Sequence, residues 1–101
     1  MSDLMTGVTG VKTKTADALR AAEADPGASA VLVAVVREFD KKAEKAVGQN
    51  DTPSTMREAV VELEQAGNSA KAAAEADRGL GDKARQAVLD AHLAICLLKA
   101  G

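Results

Sequence analysis

Apolar positions recur along this chain in steps of three and four residues, and the pattern breaks three times. Leu4, Val8, Val11, Ala18/Leu19 and Ala22 form the first seam. Val31/Leu32, Val35/Val36, Phe39, Ala43 and Ala46 form the second. Met56, Val60, Leu63, Gly67, Ala70 and Ala74 form the third, and Ala84, Val88, Ala91, Ile95 and Leu98 the fourth. This spacing is that of an amphipathic helix, with one stripe turned inward and the rest to solvent. It predicts helices over 3–24, from Pro26 to about Val47, from Pro53 to the Arg78 region, and from about Lys83 to Lys99. Val31 to Val36 is apolar all round and would suit a strand, but the helical period runs on unbroken through Phe39 and Ala46.

The breaks carry turn chemistry. Asp25-Pro26-Gly27 offers a capping carboxylate followed by a proline suited to a first helical position. Gly48 to Pro53 is the clearest linker, with Gly48 as a C-terminal cap, Asp51 or Thr52 as an N-cap and Pro53 opening the next helix. Arg78-Gly79-Leu80-Gly81-Asp82 ends the third helix, and Asp82 is expected to cap the fourth.

Two of these corners repeat. Ala21-Ala22-Glu23-Ala24-Asp25-Pro26-Gly27 returns 52 positions later as Ala73-Ala74-Glu75-Ala76-Asp77-Arg78-Gly79. The same shift places Leu4 on Met56, Val8 on Val60, Val11 on Leu63 and Val36 on Val88. Phe39 falls on Ala91 and Ala43 on Ile95, so large residues in one half answer small ones in the other. The fold class expected is all-α: an up-down four-helix bundle built from two pseudo-symmetric αα-hairpins, about 3–47 and 53–99, in one domain spanning 1–101. Duplication of a 50-residue unit explains the register; so does any pair of alanine-rich hairpins.

Composition narrows the chemistry. The chain has 101 residues, 47% of them hydrophobic, and a single aromatic, Phe39. A core this rich in alanine brings helix axes close together. The net charge of −2 and the lack of stacking aromatics give no attraction to nucleic acid. The one cysteine forms no internal disulfide, which points to a reducing compartment. No apolar run suits a cleaved signal or a bilayer span, so no membrane insertion is expected. The expected location is cytoplasmic, with export by a route needing no cleaved signal left open.

Candidate chemistry is sparse. His92 is the one histidine, and four-helix phosphotransfer domains use one exposed histidine in a motif resembling His-x-Leu-Lys-Gly. This chain reads His92-Leu93-Ala94-Ile95-Cys96, without the lysine or the glycine. His92 is expected beside the seam, bonded to Asp17 or Asp40. No Glu-x-x-His pair is present for a di-metal site and no aromatic pocket for haem, so neither cofactor nor metal is expected. Cys96 reads as a small buried hydrophobe, and its i,i+4 spacing to His92 lets the two touch. Arg37, Lys41 and Lys45 make a basic stripe, and Glu58 and Glu62 an acidic one expected to face it.

The remaining signal is apolar surface. Val31 to Val36 and Leu93 to Leu98 have almost no polar side, and a bundle this small encloses no helix completely. Val31, Val33, Val36, Leu89, Leu93 and Leu97 are the candidate interface residues. The expected function is a non-catalytic module that docks a protein partner or forms a homo-oligomer through helices two and four. The alternatives are a signalling bundle using His92, and a carrier with an apolar ligand held beneath Phe39. In size and helical pattern the chain is similar to small signal-less secreted hairpin proteins. It lacks the Trp-x-Gly turn of one such family, and its Asp25-Pro26 corner resembles the turn of type III needle subunits. No residue role is carried over from either, and no family is assigned.

Overall fold

A computed structural model describes residues 2–48 and 52–100, with the side chains of 2–5, 53 and 100 outside the description. Four helices make an elongated bundle 41 × 20 × 18 Å: α1 (Ser2–Ala24), α2 (Ala30–Gly48), α3 (Pro53–Ala76) and α4 (Asp82–Ala100). Each helix packs against the next and α4 closes the ring on α1, so α1/α3 and α2/α4 are the diagonal pairs. The turns after α1 and α3 lie together at one end of the bundle.

The seams are the core. Val8, Val11, Ala18 and Ala22 of α1 meet Leu32, Val36, Phe39, Ala43 and Ala46 of α2. Met56, Val60, Leu63, Ala70 and Ala74 of α3 and Ala84, Val88, Ala91 and Ile95 of α4 complete it. Leu4 lies outside the described side chains. Ala59 and the turn residue Leu80 are buried as well, and neither belongs to the expected seams. Phe39 is fully buried and fills the centre because Gly67 stands opposite: a Cβ there would lie 3.1 Å from Phe39 Cζ and 3.2 Å from Ile95 Cγ2.

The helix starts differ from the sequence expectation in two places. α2 begins at Ala30 rather than Pro26, because Ser29 is its cap: the Ser29 hydroxyl accepts the Leu32 N–H at 3.1 Å. α4 opens on the Gly81 carbonyl, which accepts the Arg85 N–H at 3.0 Å, while the Asp82 side chain is fully exposed and caps nothing. The start of α3 is as expected, with Thr52 at the N-cap, a reciprocal bond with Thr55, and Pro53 in the first turn. Gly48 is the last residue of α2 and does not turn left-handed. Asp51 lies outside the described residues.

Asp25 and Asp77 do other work. Each carboxylate accepts the N–H two residues on, from Gly27 at 2.8 Å and Gly79 at 3.1 Å, and so shapes its own turn. Their second oxygens cross between hairpins: Asp25 accepts the N–H of Gly81 at 2.7 Å, and Asp77 that of Ser29 at 2.9 Å. Donor and acceptor in these two bonds are related by the same 52-residue shift. Between them Gly27 and Gly79 touch backbone to backbone, and a Cβ on Gly79 would sit 2.5 Å from the Gly27 carbonyl oxygen. Glycine is required here by space, since neither residue has a positive φ.

Candidate docking face

α4 turns Ala84, Val88, Ala91 and Ile95 inward, so residues half a turn away face solvent. Those residues are Leu93 and Leu97, one turn apart and 54% and 63% exposed. Leu89, one turn before Leu93, is half-buried and extends the stripe. A row of three leucines at i, i+4 and i+8 runs down the outer side of the helix.

The candidates on α2 do not join it. Val36 is fully buried in the core, which removes it from any surface. The apolar run from Val31 to Val36 contains both a core stripe and an outer one, and Val36 falls in the first, aligned with Leu32 and Phe39. Val33 is half-buried against that core. Val31 is 69% exposed but lies in a shallow groove with Ala73, Ala76 and Asp77 at the α2/α3 edge, next to the turns. Because α2 and α4 are diagonal, Val31 and the α4 leucines are on different sides of the bundle. The apolar residues on helices two and four therefore form two separate patches, and only the α4 patch holds several large side chains. Val61, 42% exposed, lines a third shallow groove of about 250 Å³ with Val60 and Leu98, rimmed by Arg57 and Lys99.

His92 stands on the α3-facing flank of α4, half-buried, and is bonded to neither Asp17 nor Asp40. Its Nε2 lies 2.9 Å from Asn68 Oδ1 on α3. Burial holds its pKa below the usual value, with the Lys71 charge acting the same way and Glu75 and Glu64 opposing. Cys96, half-buried rather than enclosed, places Sγ 3.5 Å from Nε2 and 3.9 Å from Nδ1 of His92. Asp40 instead receives Thr15 Oγ1 at 2.7 Å and Lys12 Nζ at 2.9 Å, an α1–α2 junction that satisfies the buried threonine. The charged stripes cross only in part. Lys42 and Lys45 both reach Glu62, at 3.0 and 3.1 Å, whereas Arg37 turns to Glu23 of α1 at 3.0 Å; Lys41 and Glu58 are exposed.

No group of three or more potential metal-ligating side chains is present among the described residues, and no described helix is long and apolar enough to cross a membrane. Comparison with protein-family models, with curated proteins and with solved structures finds no match. The protein is a small four-helix bundle.

Proposed function

We propose that the chain is a non-catalytic interaction module that self-associates through the outer face of α4. The observation behind this is the exposed pair Leu93 and Leu97, with Leu89 in line, on a helix whose inner face is already satisfied by the core. A leucine row on one straight helix is self-complementary: two copies related by a two-fold axis would set Leu93 against Leu93 or against Leu97. Three leucines cover far less than the roughly 800 Å² per partner of a standard interface, so the association is expected to be weak and concentration-dependent. The His92 signalling reading has less behind it, because its ring is half-buried with one nitrogen committed to Asn68.

Light scattering across a concentration series tests the proposal. The expected result is a mass that rises above the 10.3 kDa of one chain at high concentration and returns to it in Leu93→Lys. Because Leu93 is outside the core, the variant should melt like the parent. A parent chain that stays monomeric at millimolar concentration, or a Leu93→Lys variant that associates as well as the parent, would overturn self-association.

A further inference from the structure

Two charges of opposite sign flank the leucine row of α4. Asp82 stands seven residues, or about two turns, before Leu89 on the same face of α4, and its side chain is fully exposed. Its one ion pair among the described residues is a 3.6 Å contact to Arg85 in the same turn. Arg57 on α3 is exposed and pairs with no described carboxylate. It rims the groove of Val61 and Leu98 beside the last turn of α4. We infer that the α4 face receives a second copy of this chain lying antiparallel, with Leu93 on the two-fold axis and Asp82 of each copy paired to Arg57 of the other. This rests on the self-association reading and adds its orientation, its register and the residues that select them.

The register follows from spacing. Leu89, Leu93 and Leu97 are evenly spaced, so an antiparallel pair centred on Leu93 sets each Leu89 against a Leu97 and covers all three leucines of both copies. Asp82 lies eleven residues before Leu93, so across the axis it stands level with a point about four residues beyond Ala100, where α4 ends. Arg57 occupies that level on the facing copy. α3 runs antiparallel to α4, with Glu64 bonded to Lys99 at 3.2 Å and Asn68 contacting His92 at 2.9 Å. Carried along α3, those two contacts put Arg57 about three to six residues beyond Ala100.

The flank agrees as well. Arg85, which Asp82 contacts, bonds the Ala74 and Asp77 carbonyls at the end of α3, so Asp82 leans to the α3 side of α4. A two-fold axis across antiparallel helices keeps the α3 sides of both copies together, which brings Asp82 of one copy toward Arg57 of the other. A parallel pair would cover the same leucines, but it sets Asp82 level with Asp82 and Asp90 level with Asp90, and it carries the two α3 flanks to opposite sides. Charge complementarity therefore selects the antiparallel pair. Rim pairs of this kind fix orientation and partner choice, while the leucines supply the affinity.

The test is a charge exchange read by light scattering over a concentration series. Asp82→Arg alone and Arg57→Asp alone each set like charges at both rims and are expected to weaken association about tenfold. Mixed in equal amounts, the two variants restore both pairs, because each supplies the charge the other lacks, and the mixture should associate as the parent does. Both positions are exposed, and melting of each variant separates loss of pairing from loss of the fold. Single variants that associate as tightly as the parent, or a mixture that does no better than its components, would overturn this pairing. If Leu93→Lys still abolishes association in that case, docking through α4 stands without it. A parent chain that stays monomeric would overturn both.

Discussion

Asp25 on the first turn accepts the backbone N–H of Gly81 on the second at 2.7 Å, tying together two corners 56 residues apart in sequence. Asp77 returns the bond to Ser29. A hairpin needs nothing from its partner to turn, so these bonds serve the junction of the two hairpins. Asp25→Ala should cost about 1 kcal/mol, as for the loss of a helix cap, and Asp77→Ala should destabilise in the same direction. Denaturant titration of the single and double variants measures both, and a double loss smaller than the sum would show the two bonds holding one junction.

Gly79→Ala should destabilise by about 1–3 kcal/mol, since its new methyl would meet the Gly27 carbonyl oxygen and a backbone must move. Gly10 on α1 is exposed with no atom within 4 Å of a new Cβ. Gly10→Ala should therefore stabilise, by up to about 1 kcal/mol from helix propensity alone. Opposite shifts in melting temperature are the expected reading.

Phe39 and Gly67 should be coupled. Gly67→Ala alone gains helix propensity but presses on Phe39 and Ile95, both fully buried, and the net effect should be destabilising. Phe39→Leu should cost about 1–2 kcal/mol by leaving space at the same spot. In that background Gly67→Ala fills part of the space and should stabilise. A double-mutant cycle checks the change of sign.

Stability should fall in two steps as pH drops. His92 titrates below its ordinary 6.5 in the fold, because burial disfavours its charge. The unfolded chain therefore binds that proton first, and stability declines below pH 6.5. His92→Gln should flatten this step. Asp77 is held below 3.8, chiefly by the Ser29 N–H, and Glu62 below 4.5, chiefly by Lys42 and then Lys45. Carboxylates depressed in the fold give stability that is complete above their ordinary values and lost as pH falls through the folded ones. Asp77→Asn should reduce the acid step below about pH 4; added salt should reduce the exposed Glu62 share. Denaturant midpoints from pH 8 to 2.5 supply the measurement.

The sequence by itself determined the four helices, the inward stripe of each and the matched corners, because a helix period fixes which side chains share a face. Val8, Leu63, Ile95 and Phe39 are buried for that reason alone. It also placed Leu93 and Leu97 opposite a seam. What periodicity does not carry is the identity of the neighbour, and the revised readings of His92, Asp25 and the charged stripes lie there. Where an apolar run covers the whole circumference, as from Val31 to Val36, no stripe stands out. Only the ring order of the helices separated buried Val36 from exposed Val31 and put α2 diagonal to α4. Asp25 could be read from local chemistry as a helix cap; its bond to Gly81 depends on two turns meeting end to end. His92 was legible as a flank residue, but Asn68 became its partner through the closeness of α3 and α4, which small side chains permit and no spacing along one helix records.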